Sequence, residues 1–252
     1  MKLLSGKSAL ITGASSGIGA AAARVFCREG AALTLLARRE RELAALTEEL
    51  RADGHQVQYV VADVNDTEAV ARAVATAVSA FGRLDAAFNN AGIGTEPKPL
   101  HLLGEDAYDS VMDTNVRGVW NCLRHEIRAM LATGGGSIVN NSSTAGLVAT
   151  PVAASYIASK HAVVGLTKAA ASEYAAQNIR VNVLATGSTR SEMIDEWLKE
   201  HPEMEEILLQ SALLPRIAAP DEIAEAAAWL CSDRSSFVVG ATVPVDGGWT
   251  VR

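Results

Sequence analysis

The chain has 252 residues, of which 49% are hydrophobic and 20% charged. This composition excludes a disordered or fibrous protein and leaves ample length for one large buried core. A net charge of −7 argues against a nucleic-acid or anionic-membrane partner. Only Leu3-Leu4 stand ahead of Ser5-Gly6-Lys7, too little for a signal-peptide core, and no apolar run approaches the length of a membrane span. The expectation is a cytoplasmic protein.

Cys27, Cys122 and Cys231 are scattered and odd in number, and the five histidines are equally dispersed. Neither set has metal-ligand or disulfide-framework spacing. The cysteines read as small buried hydrophobes in a reducing compartment, and no metal is expected.

Strand and helix signals alternate along the whole chain. Ser8 to Thr12 is a short apolar run that stops at Gly13, as a buried parallel strand would. Gly17 to Glu29 is Ala-rich and helical, with Gly30 as its stop. Further strands are predicted at Ala32 to Ala37, Val57 to Val61, Leu84 to Phe88, Ser137 to Asn140, Arg180 to Leu184 and Thr242 to Val245. Helices are predicted at Arg39 to Ala52, Thr67 to Phe81, Tyr108 to Met130, Tyr156 to Ala176 and Pro220 to Leu230. Repeated βα units with about seven strands imply a single α/β domain over residues 1–252, an open, doubly wound parallel sheet with helices on both faces. The stretch 187–219 breaks the rhythm. It is either a substrate lid beyond a strand's carboxyl end or a packing and subunit-contact arm.

The first strand runs into Thr12-Gly13-Ala14-Ser15-Ser16-Gly17-Ile18-Gly19. Helix N-terminal amides suit a pyrophosphate, and glycines let the backbone approach it closely. An NAD site would hold an acid at the end of the second strand for the ribose 2′-hydroxyl. Ala37 stands there instead, followed by Arg38 and Arg39. A guanidinium fork matches a 2′-phosphate, which favours NADP(H), with NAD(H) as the alternative.

Tyr156 and Lys160 lie four apart in a helical stretch, which stacks them on one face, and Ser143 precedes Tyr156 by thirteen residues. A phenol has a reference pKa of about 10. A neighbouring ammonium favours the phenolate and brings the group into working range for proton transfer.

These residues, with Asp63-Val64, Asn89-Asn90-Ala91-Gly92, Asn115 and the closing Val245-Asp246-Gly247-Gly248-Trp249, resemble the short-chain dehydrogenase/reductase family over nearly the whole chain. The resemblance implies a Rossmann-like fold and hydride transfer between NADP(H) and a secondary alcohol or ketone. It implies Tyr156 as general acid/base, Ser143 as hydrogen-bond donor to the substrate oxygen and Lys160 as the group that lowers the Tyr156 pKa and holds the nicotinamide ribose. Asn115 would position a water of the proton relay. Gly13, Ser15, Ser16, Gly17, Ile18, Gly19, Arg38, Arg39, Asp63, Val64, Asn90, Ala91, Gly92, Gly187 and Thr189 would contact the cofactor.

The chain departs from the family at Thr186-Gly187, where Pro-Gly is common, at Ser191, where Thr is usual, and at Asn141, where an apolar residue is usual. Candidate substrate-pocket residues are Ile93, Thr95, Thr144, Ala145, Val152, Ser188, Met193 and Trp197. They are mostly apolar and suit a hydrophobic ketone or alcohol.

Two further readings stand beside this one. The chain also resembles a 3-oxoacyl-carrier-protein reductase, with Arg128 at a docking position but Ser172 and Glu173 where a second basic residue would sit. A non-catalytic nucleotide sensor on the same fold is the alternative of a different class; loss of one of the four catalytic residues would favour it, and none is lost. The Ala-rich helix bearing Tyr156 and the apolar final segment Ala241 to Arg252 point to a homo-oligomer, with a monomer whose alanines pack on its own sheet as the rival reading. The family resemblance implies a homotetramer with two dyad-related interfaces.

Overall fold

A computed structural model describes residues 2–150 and 152–251, apart from the side chains of Met193 and Ser211. Seven strands form one sheet in the order β3-β2-β1-β4-β5-β6-β7, every neighbouring pair parallel. The strands are β1 (Ser8–Thr12), β2 (Ala32–Ala37), β3 (Val57–Val61), β4 (Ala86–Asn89), β5 (Gly136–Asn141), β6 (Ile179–Thr186) and β7 (Thr242–Val245).

Side chains alternate across each strand, and the two faces feed two separate cores. Ala9, Ile11, Leu33, Leu35, Ala86, Phe88 and Val139 pack on one side with α1 (Gly17–Arg28), α2 (Glu40–Ala52) and α9 (Pro220–Cys231). Leu10, Leu36, Ala87, Ile138 and Val181 face the other way, onto α3 (Thr67–Phe81), α5 (Gly118–Thr133) and α6 (Ala154–Tyr174). Strands buried on both faces must be nearly all apolar, which is why their sequences read as short hydrophobic runs.

Local signals set the ends of several helices. The Asp66 carboxylate accepts from the amides of Glu68 and Ala69 at 3.0 and 3.1 Å to start α3, and Gly82 at φ 79° ends it in the left-handed region. Pro220 opens α9, and the Glu222 carboxylate reaches back to the Ala219 amide at 2.9 Å.

The helix expected over Tyr108 to Met130 is two pieces. α4 (Glu105–Met112) and α5 are joined by a π turn at Asp113–Arg117. Apolar periodicity does not reveal one inserted residue, and such bulges frequently fall at functional sites. The region 187–219 contains α7 (Glu192–Glu200) and α8 (Met204–Ser211). Leu198, Leu208 and Ile217, with Ile194, Trp197, Met204 and Leu209, form a third hydrophobic cluster separate from the two main cores.

Because β4 lies beside β1 rather than β3, the crossover direction reverses between them. That reversal opens a crevice at the carboxyl ends of these strands, the place where ligands bind in open α/β sheets. Among the described residues, no helix is long and apolar enough to cross a membrane. The three cysteines are buried and unpaired, and burial pushes the Cys27 and Cys231 thiols up to about 12.

Candidate active site

The carboxyl ends of the strands border a cleft of about 880 Å³. On its cofactor side, β1 ends at Thr12, whose Oγ1 accepts from the amides of Asn90 and Ala91, both at 3.0 Å. The Asn90 amide group donates to the carbonyls of Thr12 at 3.2 Å and Gly13 at 3.4 Å. The glycine turn is therefore fastened to the loop after β4. A Cβ on Gly19 would meet the Gly13 carbonyl oxygen at 2.1 Å, and one on Gly13 would meet the Ala91 Cα at 2.9 Å. Only glycine allows this approach. It leaves the N-terminus of α1 open to the cleft beside Ser15, Ser16, Gly17 and Ile18, a cradle that fits a pyrophosphate.

At the end of β2, Arg38 lies 3.7 Å from Asp63. Arg39 donates to the hydroxyls of Ser15 at 3.2 Å and Ser16 at 2.5 Å. Both arginines line the cleft, as do Val64, Gly92, Gly187 and Thr189. Val64 also receives close packing. A Cβ on Gly118 would meet its Cγ2 at 2.6 Å, and its carbonyl accepts from Asn121 at 2.8 Å. The donors and the space fit a nicotinamide dinucleotide.

The proton-transfer side is built on β5 and α6. Ser143 lies two residues past the end of β5 and caps a short 3-10 turn, its Oγ accepting from the Ala145 amide at 3.1 Å. That turn is pressed against α6, since a Cβ on Gly146 would meet the Ser142 Oγ at 2.5 Å and the Lys160 carbonyl oxygen at 2.8 Å. Tyr156 and Lys160 lie on α6, with the Lys160 Nζ 5.4 Å from the centre of the Tyr156 ring and 3.0 Å from the Asn141 carbonyl. Burial lowers the Lys160 pKa to about 8.

Burial also raises the Tyr156 pKa, and the Ser143 hydroxyl only partly opposes it. The expected lowering of Tyr156 by Lys160 is therefore not found in the protein alone. Both groups are desolvated, and no Lys160 hydrogen bond reaches the phenol.

Asn115 lies in the π turn. Its Oδ1 accepts from the Ile93 amide at 2.9 Å, while its Nδ2 donates to the Ile93 carbonyl at 2.9 Å and Ser159 Oγ at 3.0 Å. It sits behind Gly92 and braces the 92–93 backbone, rather than lining the cleft. Both its amide hydrogens are used, and one lone pair of Oδ1 is left for the relay water expected of it.

Most of the expected substrate residues do converge. Ile93, Thr95, Thr144, Val152, Ser188 and Trp197 line the cleft together with Tyr156. Ala145 does not. It is buried, and the 3-10 turn uses its backbone, not its methyl group, to hold Ser143. The Met193 side chain lies outside the described residues.

Several lining residues were not foreseen. Ile194, His201, Met204 and Leu208 come from the 187–219 region and Trp249 from the closing segment. The 194/197 spacing on α7, continued to its C-cap at His201, was a legible helical stripe that pointed to Ile194 and His201. Asn141, the polar departure, donates to Asn90 Oδ1 at 3.0 Å while its own Oδ1 remains buried without a partner. Thr186, the other departure, donates to the Ser142 carbonyl at 3.0 Å and ties β6 to the loop that bears Ser143.

A dinucleotide cradle set against a Ser/Tyr/Lys cluster at the switch point of a parallel sheet defines an oxidoreductase of alcohols and ketones. A family profile described as Enoyl-(Acyl carrier protein) reductase matches residues 13–250. The chain is 61% identical over 250 residues to the A-factor type gamma-butyrolactone 1′-reductase (1S-forming) of Streptomyces virginiae, covering 99% of this chain and 97% of that one. It is 38% identical over 251 residues to a 2,5-dichloro-2,5-cyclohexadiene-1,4-diol dehydrogenase of Sphingobium indicum, covering 99% of each. Among solved structures, levodione reductase superposes with a TM-score of 0.93 at 35% identity, covering 97% of both chains. The L-sorbose reductase of Gluconobacter frateurii, complexed with NADPH and L-sorbose, superposes at 0.92 with 31% identity, covering 99% of this chain and 98% of that one. The chain belongs to the short-chain dehydrogenase/reductase family.

Proposed function

We propose that the protein uses NADPH to reduce the 1′ ketone of an A-factor type γ-butyrolactone to the alcohol, with Tyr156 as the proton donor. The observation that carries this reading is the 61% identity to the Streptomyces virginiae reductase over 99% of the chain, with the catalytic side chains intact.

The bound nicotinamide supplies the hydride. Ser143 Oγ accepts from the Ala145 amide, and its hydroxyl hydrogen, directed at the Tyr156 oxygen in the protein alone, would turn to the substrate carbonyl. Tyr156, raised above the usual phenol range by burial, holds its proton at neutral pH and can donate it to the developing alkoxide. Lys160, charged below about 8, favours the phenolate left behind. Arg38 and Arg39 select the 2′-phosphate, and a relative of the same fold is described in complex with NADPH. Asn115 acts as the buried brace of the Gly92-Ile93 backbone.

The substrate side accords with a neutral, largely apolar ligand. Val152, Ile194, Trp197 and Leu208 supply apolar surface, and the acids on the cleft are Asp63, Glu96, Glu192, Glu196 and Glu200. An acidic carrier protein would meet those carboxylates unfavourably. Arg128 is exposed, but so are Ser172 and Glu173, so carrier-protein docking has little basic surface there. Buried, unpaired cysteines accord with a reducing, cytoplasmic setting.

We also propose a homotetramer. β7 is an edge strand, Trp120 and Tyr108 are about half exposed, and Phe237 is fully exposed. Apolar surface of this kind marks contact sites.

The test is reduction of a racemic keto-lactone of this class by purified protein, followed by nicotinamide absorbance with NADPH and NADH and by chiral analysis of the product. Turnover with NADPH giving the 1S alcohol is expected. Reduction of a 3-oxoacyl thioester with no reduction of the lactone would overturn the substrate assignment.

A further inference from the structure

We propose that Glu192 is a specificity-determining residue for the cofactor: it competes with the 2′-phosphate for Arg39, so that NADP(H) releases the front of the 191–217 lid while NAD(H) leaves it latched. The inference rests on the reading of Arg38 and Arg39 as the phosphate-selecting pair.

Arg39 is shared between two parts of the molecule. Its Nε and Nη2 hold the hydroxyls of Ser15 and Ser16 in the glycine turn, and its Nη1 donates to Glu192 Oε2 at 2.7 Å. Glu192 is the first residue of α7, so this ion pair spans from the cofactor cradle to the substrate lid. A dianionic phosphate placed among Ser15, Ser16 and Arg39 would take the same guanidinium hydrogens and would repel the carboxylate. An unphosphorylated ribose offers no such competitor.

The lid is built so that this tether matters. Its apolar residues Leu198, Leu208 and Ile217 pack with one another in a cluster of their own, not with either main core. Arg190 binds Asp195 at 3.1 Å and Glu205 at 2.8 Å, which ties α7 to the segment that follows it. At the base of the lid, Ser188 and Arg190 pair with Ala218 through backbone bonds of 2.9 Å. The far end is held by the Leu214 amide on the Gly247 carbonyl at 2.9 Å. The front end touches the cradle where a Cβ on Gly17 would meet the Ser191 Cβ at 3.1 Å, and the ion pair adds a charged link at the next residue. Glu192 also complements the dipole of α7, but a plain dipole role requires no arginine, and Asp195 in the same first turn supplies it.

The experiment compares wild type with Glu192→Gln by calorimetric binding of NADP⁺ and NAD⁺. Hydrogen exchange of residues 191–217 is measured in each complex. Because both ion-pair partners are about half exposed, the loss of competition is expected to tighten NADP⁺ by roughly three- to tenfold. NAD⁺ affinity should be unchanged. In wild type, NADP⁺ should leave the 191–200 amides exchanging faster than NAD⁺ does, and in Glu192→Gln the two complexes should match. NADP⁺ affinity that is unchanged or weaker in the variant, or lid exchange that is the same in both wild-type complexes, overturns the latch. A wild type that binds NAD⁺ more tightly than NADP⁺ overturns the cofactor reading instead, and the variant comparison still decides the latch.

Discussion

The side-chain amide of Asn89 donates to Glu126 Oε2 at 2.9 Å in the interior of the protein, and the other oxygen of that carboxyl has no partner. Asn89 also donates to Asn140 Oδ1 at 3.0 Å, and Asn140 donates to Thr167 Oγ1 at 2.8 Å. The network joins β4, β5, α5 and α6 directly behind the cofactor loop. Burial raises the Glu126 pKa to about 7, against the smaller lowering effect of the Asn89 hydrogen bond. A carboxyl raised in the fold binds its proton more tightly there than in the unfolded chain. Its contribution to stability is therefore complete below the unfolded value and is lost as pH rises through about 7.

Chemical denaturation at a series of pH values should show this loss. Between pH 4.5 and 7.5 the Glu126 contribution should fall by roughly 3 kcal/mol. Glu126→Gln, which is neutral at every pH, should remove that part of the slope. An unchanged slope in the variant would show that Glu126 is not the titrating group.

Tyr156→Phe keeps the ring and removes the proton. Turnover should fall by a factor on the order of 10² or more. Cofactor affinity, measured by equilibrium binding, should be little changed. Turnover near wild type would remove Tyr156 from the mechanism.

Replacing Arg38 and Arg39 together with neutral residues should weaken NADP⁺ by about 2 kcal/mol, near thirtyfold, through lost charge-assisted bonds. NAD⁺ should be nearly unaffected. Titration of both cofactors against the double variant checks it, and an equal loss for the two would point to a distorted cradle instead of lost phosphate contacts.

Asn115→Ala leaves the Ile93 amide and carbonyl without their partners. It should lower stability by about 2 kcal/mol and reduce activity with it. Asn115→Asp, which keeps an acceptor for the Ile93 amide, should recover part of the stability. Equal melting temperatures for wild type and Asn115→Ala would show that the brace carries no load.

Light scattering at micromolar concentration should give four times the single-chain mass of 26.4 kDa. A mass near one chain would refute the assembly. Ala170 and Ala171 of α6 pack into the protein's own core, while Ala169 is exposed, so the small residues of this helix serve intramolecular packing as well as any contact between copies.

Sequence alone was enough for the α/β class, the strand count and the glycine turn, and for bringing Ser143, Tyr156 and Lys160 into one cleft. Each of these is encoded locally, by a hydrophobic run, a backbone that only glycine can form, or a fixed spacing on one helix. The same locality explains what was missed. A π turn at Asp113–Arg117 adds a residue to a helix without disturbing its composition. The direction of the Tyr156 shift depends on how much water the fold excludes from the phenol and where Lys160 directs its proton, to the Asn141 carbonyl. The partner of Asn141 is Asn90, fifty-one residues earlier. Arg39 read as a phosphate ligand in sequence, and only the tertiary fold brought Glu192, one hundred and fifty-three residues away, onto the same guanidinium. Local backbone and spacing determine the elements and the chemistry they carry. Long-range packing decides which side chains share a proton or a charge, because burial and distance appear only when the chain has closed on itself.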